Sequence, residues 1–167
     1  MAPKIVIIGP MGSGKSTVGE ALAEKIGCEF TDTDSLIIAD QGKSISDIFI
    51  EDGEPHFRLV EESIVIDALR EYSGVLSLGG GAITSELTQR AIKASGAVVV
   101  FLDISLAAVS PRVGFDSARP LLMVNPRQKW NELMAERRPI YEALANITID
   151  VSNLGVEEVV SRIEGSL

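Results

Sequence analysis

Residues 9–16 read G-x-x-x-x-G-K-S, the full pattern of a phosphate-binding P-loop. They follow a short apolar run at 4–8 and precede residues 17–26, whose apolar side chains recur at helical spacing. In a strand, glycine loop and helix, backbone N–H groups and the positive helix N-terminus surround a phosphate. Lys15 should reach the β- and γ-phosphates of a nucleotide, and the Ser16 hydroxyl should ligate Mg²⁺. The predicted nucleotide-binding residues here are Gly12, Ser13, Gly14, Lys15, Ser16 and Thr17.

A pair of carboxylates, Asp32 and Asp34, follows the second candidate strand, residues 29–31. Open α/β sheets bind ligands at the carboxyl ends of their strands. In an extended Asp-x-Asp both carboxylates point to one side, which suits a metal shell and a substrate hydroxyl. The alternative is that Asp32 caps a helix and Asp34 adds charge to its first turn. Because the third apolar run, residues 75–78, offers no carboxylate, Asp32 is the candidate that holds Mg²⁺ through water.

Three consecutive glycines, Gly79, Gly80 and Gly81, follow the third apolar run. Such a run costs conformational entropy, so it predicts a tight turn or a ligand pressed against the backbone. A plain strand-to-helix turn is the alternative.

Three arginines are candidates for binding an anion. Arg58 and Arg137 lie on amphipathic helical segments, Arg137 on the apolar stripe itself, and Arg119 precedes a proline in a loop. An arginine on a buried stripe needs an anion, because unpaired burial costs several kcal/mol. Each arginine by itself is more often a partner in a surface salt bridge.

The composition limits the class of protein. A chain of 167 residues has the size of one domain, and a net charge of −9 without a basic run argues against nucleic acid. Cys28 is the only cysteine and His56 the only histidine, which argues against zinc and favours a reducing compartment. With no room for a signal peptide before the first strand and no apolar stretch of about 20 residues, we expect a cytoplasmic monomer without membrane contact.

Apolar runs alternate with helical segments, which predicts a parallel sheet covered by helices on both faces. The longest helices are expected at 54–72 and 126–145. In the first, Glu61 and Glu62 should point toward solvent or the cleft. In the second, Asn125 is the N-cap and Pro139 should kink or break the helix. A last helix is expected at 156–167, and residues 114–125 form the candidate mobile loop. The predicted strands are 5–8, 29–31, 75–78, 97–102 and 147–151.

Taken together, these blocks resemble the shikimate kinase family nearly end to end. Several independent blocks in the right order are more specific than the P-loop alone. The blocks are residues 9–17, Asp32-Thr33-Asp34, Asp47-Ile48-Phe49, Gly53-Glu54, Phe57-Arg58, Glu61-Glu62, residues 78–81, residues 119–122, and Arg137 with Pro139 and Tyr141.

The resemblance implies a fold and a reaction. The fold is a single three-layer P-loop domain with a parallel sheet of about five strands, a substrate-binding helical segment at about 33–61 and a lid at about 112–125. The reaction is the phosphorylation of the 3-hydroxyl of shikimate by Mg²⁺-bound ATP, on the chorismate route to aromatic amino acids.

The resemblance also implies roles for single residues. Lys15, Asp34 and Arg119 are the expected catalytic residues, with Arg119 on the lid and Arg112 against adenine. Asp34 can orient the attacking hydroxyl or remove its proton, and both possibilities are open. The expected substrate-binding residues are Asp34, Phe49, Phe57, Arg58, Gly79, Gly80, Gly81 and Arg137.

Two rival functions and two departures from the family pattern remain. A gluconate kinase shares the P-loop, whereas a GTP-dependent switch protein would need guanine and switch motifs that the chain lacks. Arg137-Arg138 is a doublet, so the residue that contacts substrate depends on its spacing to Pro139. Residues 150–155, where the family wraps adenine, are short and lack a proline.

Overall fold

The computed structural model describes residues 5–111 and 125–167, which form a five-stranded parallel sheet flanked by helices. The strand order is β2-β3-β1-β4-β5, so β1 lies at the centre with β3 and β4 as its neighbours. The predicted α/β fold is confirmed, and each predicted strand is present with its ends shifted by one residue at most. The strands are β1 Ile5–Ile8, β2 Phe30–Asp32, β3 Val75–Ser77, β4 Val98–Asp103 and β5 Ile147–Asp150.

Helices connect the strands and bring the chemistry-bearing loops to one edge of the sheet. The P-loop follows β1, the aspartates follow β2, and the glycine run follows β3, so all three lie at the carboxyl ends of neighbouring strands. The α-helices are α1 Lys15–Ile26, α2 Thr33–Gln41, α3 Ile45–Asp52, α4 Glu54–Glu71, α5 Glu86–Ser95, α6 Leu106–Val109, α7 Pro126–Leu144 and α8 Val156–Ser166, and a 3₁₀ helix spans Ala82–Thr84.

Two apolar clusters hold the described residues together. The main core lies on the sheet, where β1 is buried along its whole length and β4 is buried at its four central residues. Burial on both faces explains why these strands are continuous apolar runs rather than alternating ones. A second cluster joins α2, α3 and the start of α4; its buried members are Ile37, Ile45, Ile48 and Phe57.

Helix α7 continues through Pro139, where a kink or a break is expected from the sequence. Of these two outcomes the break is wrong, because the helix runs through Pro139 from Pro126 to Leu144. Proline removes one backbone donor, and the partner of that donor would be the carbonyl of Ala135. Pro139 and Ala135 are both exposed, so water can replace the lost hydrogen bond. Asn125 precedes the helix as predicted, but its side chain makes no capping hydrogen bond.

Among the helices formed by residues 5–111 and 125–167, none combines the length and the apolar character that crossing a membrane requires. The expected adenine arginine Arg112, the expected lid arginine Arg119 and all of the expected lid except Asn125 lie outside the described residues.

Candidate functional site

The P-loop is a closed turn built around the carbonyl of Pro10. That oxygen accepts hydrogen bonds from the Ser13 backbone N–H at 3.3 Å, from the Ser13 hydroxyl at 2.8 Å and from Lys15 Nζ at 3.0 Å. Gly12 and Gly14 both have a φ of 87°, a conformation that favours glycine. Helix α1 begins at Lys15, so its N-terminus and the ammonium group lie together at the phosphate-binding turn.

The aspartate motif after β2 combines both interpretations of Asp32. Asp32 is the last residue of β2 and the N-cap of α2, and its Oδ1 accepts from the Asp34 N–H at 2.8 Å. Its Oδ2 accepts a hydrogen bond from the Ser16 hydroxyl. The predicted extended Asp-x-Asp is wrong, because the chain turns into a helix at Thr33 and Asp34 lies in its first turn. The helix cap thus fixes one Asp32 oxygen and leaves the other facing the P-loop.

The contact between Ser16 and Asp32 fits a magnesium site. A hydroxyl and a carboxylate oxygen are hard ligands of the kind Mg²⁺ prefers, and P-loop proteins hold the ion with few protein oxygens plus phosphate and water. Within the part of the chain that the structure describes, no cluster of three or more His, Cys, Asp or Glu could form an all-protein metal cage. The donor set therefore suits a metal that arrives with a nucleotide.

Thr33 connects the aspartates to the glycine run. Its side chain is fully buried, and its hydroxyl accepts a hydrogen bond from the Gly79 N–H at 3.2 Å. Asp34 is the next residue and is half-buried, so it lies at the same edge as the glycine run. This bond joins the ends of β2 and β3 directly.

Two guanidinium groups occupy the space that a side chain at Gly81 would need. A Cβ there would lie 2.5 and 2.6 Å from the terminal nitrogens of Arg58 and 2.8 Å from Nη2 of Arg137. Gly81 has a φ of −97°, so a left-handed turn is not the reason for glycine at this position. The reason is room for the two arginines, which lie side by side against the backbone.

Arg58 is anchored by carboxylates of its own helix. Nη1 donates to Glu61 Oε1 at 2.8 Å, and Nη2 donates to Glu54 Oε2 at 3.2 Å. Its guanidinium carbon also lies 5.3 Å from the ring centre of Phe57, within cation–π range. Glu61 is only 2% exposed, so of the two expected directions, solvent and the cleft, it does not face solvent. Spacings of three and four residues could have revealed these partners.

Arg137 is the more deeply buried of the two arginines. It is 8% exposed, and among the described residues it forms no ion pair, while its Nε is buried without a hydrogen-bond partner there. Burial lowers the pKa of Arg137, and the neighbouring charge of Arg58 acts in the same direction against the influence of Tyr141 and Glu61. A buried cation in this setting is stabilised by binding an anion.

The arginine doublet divides between two environments. Arg138 Nη1 donates to Asp103 Oδ2 at 2.6 Å, which ties α7 to the end of β4 and raises the pKa of Arg138. Arg137 instead lies near Gly80, where a Cβ would be 3.6 Å from Nη1 of the arginine, and Tyr141 donates to the Gly80 carbonyl at 2.5 Å. Of the two, Arg137 is therefore the one that faces the glycine run.

The two phenylalanines differ in what they can contact. Their ring centres are 4.6 Å apart, with Phe49 half-buried and Phe57 without exposed surface. The expected contact of Phe57 with a ligand is not available in this conformation, because the ring is enclosed in the second core cluster. Phe49 keeps exposed apolar surface, and the buried ring of Phe57 packs against the ring of Phe49.

Together these groups form one cleft with two kinds of binding chemistry. The P-loop, Lys15 and the Ser16–Asp32 pair suit a metal-bound polyphosphate. The arginine pair suits a planar carboxylate, which guanidinium forks bind through two parallel hydrogen bonds. Gly80 connects the two halves, since a Cβ there would lie 3.4 Å from the Met11 N and 3.6 Å from the Gly9 carbonyl oxygen.

The sequence profile named "Shikimate kinase" matches residues 11–167. A shikimate kinase of Streptomyces avermitilis is 46% identical over 165 residues, covering 99% of this chain and 95% of the relative. A shikimate kinase of Salinispora arenicola is 50% identical over 149 residues, which cover 89% of this chain and 88% of the relative. The solved shikimate kinase from Acinetobacter baumannii in complex with shikimate is 37% identical with a TM-score of 0.92, covering 98% of this chain and 92% of that one.

A gluconokinase structure from Sinorhizobium meliloti is also similar, but more distantly. It is 20% identical with a TM-score of 0.60, covering 98% of this chain and 90% of that one. At that identity the likeness extends to the fold alone.

The two carboxylates on Arg58 provide a matched pair for mutation. We expect Glu61→Ala to lower the free energy of unfolding by about 1–3 kcal/mol, because it leaves a largely buried guanidinium under-compensated. Glu54→Ala removes a partner whose side chain is 44% exposed, against 3% for Glu61, and should cost less than about 1 kcal/mol. Urea unfolding measures both values. Equal losses in the two variants would contradict the assigned anchoring role of Glu61.

Proposed function

The chain belongs to the shikimate kinase family, and on that premise we propose that it transfers the γ-phosphoryl group of ATP to the 3-hydroxyl of shikimate. The products are shikimate 3-phosphate and ADP, on the route to chorismate and the aromatic amino acids. The observation that carries the proposal is the pair of guanidiniums over Gly81, set beside a P-loop that suits the nucleotide.

The acceptor has one carboxylate and three ring hydroxyls. Arg58 and Arg137 bind the carboxylate, and their combined charge offsets the cost of removing it from water. The half-buried ring of Phe49 covers the apolar side of the substrate ring, with Phe57 supporting it. Backbone groups of the glycine run, Gly79 to Gly81, lie close enough to the substrate for hydrogen bonding because no side chains intervene.

The transfer itself depends on position and charge. The 3-hydroxyl oxygen attacks the γ-phosphorus while the bond to the β–γ bridging oxygen breaks, and the hydroxyl proton passes to Asp34 or to an oxygen of the transferred phosphoryl group. Asp34 accepts a hydrogen bond from that hydroxyl and holds it in line, whether or not it finally takes the proton. Lys15 moves from the Pro10 carbonyl to the phosphates and balances their charge there.

The P-loop and the aspartate motif also offer ligands for magnesium. Ser16 would hold the ion directly and Asp32 would hold it through water, as their mutual contact supports. When bound, Mg²⁺ would supply positive charge to the phosphate oxygens of ATP.

The remaining assignments come from the family likeness. Arg119 closes over the transferred phosphoryl group as part of a lid at about 112–125, and Arg112 packs against adenine. We also propose that the protein is a cytoplasmic monomer, and the single cysteine is in keeping with a cytoplasmic location. Residues of about 33–61 form the substrate-binding segment, in keeping with the separate apolar cluster of α2, α3 and α4.

A direct assay distinguishes the proposal from its nearest rival. The purified protein with Mg²⁺ and ATP should release ADP rapidly with shikimate and at background rate with gluconate. Lys15→Met should abolish the shikimate-dependent rate while the thermal unfolding temperature stays close to that of the wild type, because Lys15 is needed for phosphate charge rather than for the core. Turnover of gluconate but not shikimate would overturn the proposal, as would near-normal turnover by Lys15→Met.

The arginine doublet offers a second test within one turn of helix. Arg137→Ala should raise the KM for shikimate by at least about 30-fold, because it removes a charge-assisted bidentate contact with the carboxylate. The KM for ATP should change much less. Arg138→Ala removes an equal charge that is paired with Asp103, so it should leave the KM for shikimate within about threefold of wild type. Steady-state kinetics with each substrate varied in turn measures both. The opposite ranking of the two variants would transfer the substrate contact to Arg138.

A further inference from the structure

Helix α7 contacts both halves of the cleft through one face. Its buried residues lie at spacings of four, three, four and three, the repeat of a single helical stripe; they are Trp130, Met134, Arg137, Tyr141 and Leu144. Tyr141 and Arg137 lie against the glycine run at the carboxylate side. Trp130, almost two turns before Arg137, lies against the P-loop at the phosphate side.

The contact of Trp130 with the P-loop is a directed hydrogen bond. Its indole Nε1–H donates to the carbonyl of Met11 at 3.0 Å, and the residue is only 5% exposed. In a planar trans peptide the carbonyl of one residue and the N–H of the next point in opposite directions, and the described chain has no cis peptide. Holding the Met11 carbonyl toward α7 therefore turns the Gly12 N–H away from α7, and so fixes the orientation of one of the amides that surround a phosphate.

There is little free space between the indole and the loop. The cavity lined by Pro10, Met11, Trp130, Leu133, Met134 and Arg137 has a volume of about 10 Å³, which is room for one water molecule at most. Arg137 lines the same small cavity as Met11 and Trp130. If a change at Arg137 shifts α7, the side chains between α7 and the P-loop have no free volume in which to rearrange. The shift is therefore transmitted to the P-loop.

We propose that Trp130 is a positioning residue that couples nucleotide binding at the P-loop to acid binding at Arg137. The inference rests on the proposed function, because it needs both substrates in the cleft. Shikimate bound to Arg137 fixes α7, α7 fixes the Met11 carbonyl through the indole N–H, and the P-loop amides are then set for the nucleotide. By reciprocity, a bound nucleotide tightens the binding of shikimate by the same factor.

The test measures this factor directly. Calorimetry gives the Kd of shikimate with and without saturating Mg·ADP, which cannot react, and the ratio of the two values is the coupling factor. We expect the wild-type protein to show a factor well above one. Trp130→Phe keeps an aromatic ring but loses the donor, and should lower the factor about three- to tenfold, the range of one hydrogen bond. The Kd of shikimate in the absence of nucleotide should change less than about twofold. A general loss of packing would not lower the coupling factor while leaving this Kd unchanged.

Lys129→Ala is the matched control. Lys129 is the neighbour of Trp130 on α7, and its side chain is 43% exposed, so its removal should leave the coupling factor as in the wild type. A wild-type factor of one, an unchanged factor in Trp130→Phe, or an equal fall in Lys129→Ala would each overturn the inference.

The wild-type protein offers an independent readout, since Trp130 is the only tryptophan in the chain. Its fluorescence, excited where adenine does not absorb, should change on addition of Mg·ADP alone and also of shikimate alone. No response to shikimate alone would overturn the inference even if Trp130→Phe failed to fold. Loss of the proposed function would look different, because the wild-type protein would then fail to phosphorylate shikimate at all.

Discussion

Two positively charged guanidiniums lie against one glycine in a largely buried cleft, and much of the surrounding structure serves to keep them there. Like charges repel more strongly away from water, so their juxtaposition needs compensation. Glu61 supplies a buried carboxylate to Arg58, and Gly81 leaves out the side chain that would separate the pair. Arg137 forms no ion pair among the described residues, so its buried charge would be stabilised by an anion. An arrangement that costs stability through this repulsion is also one that suits a carboxylate.

Much of this architecture could be predicted from the sequence because it depends on local patterns. Continuous apolar runs marked most of the five strands, and G-x-x-x-x-G-K-S marked the loop after the first. The parallel topology then required the loops after β1, β2 and β3 to share one edge of the sheet. The family likeness supplied the chemistry, since no spacing rule distinguishes a shikimate site from another carboxylate site.

Sequence patterns are least informative where tertiary contacts decide between local alternatives. Asp32 is both helix cap and partner of Ser16, which an extended pattern could not reveal. Helix α7 continues through Pro139 because buried residues on either side, Met134 and Tyr141, hold it against the core. Arg137 and Arg138 look equivalent in sequence, and only the position of Asp103 at the end of β4 separates them. The burial of Phe57 in the second core cluster likewise depends on contacts among three helices, which a local pattern does not show.

The Pro10 carbonyl, which accepts from Ser13 and Lys15, has a consequence for which anions the loop can admit. With its ammonium already engaged by a carbonyl dipole, Lys15 is not a bare charge open to any passing ion. A weakly basic anion such as chloride gains too little from displacing that internal partner, whereas a polyphosphate brings several charges and many acceptor oxygens at once. An incoming anion must therefore interact with Lys15 more strongly than the Pro10 carbonyl does, and this competition favours polyphosphates over weakly basic anions.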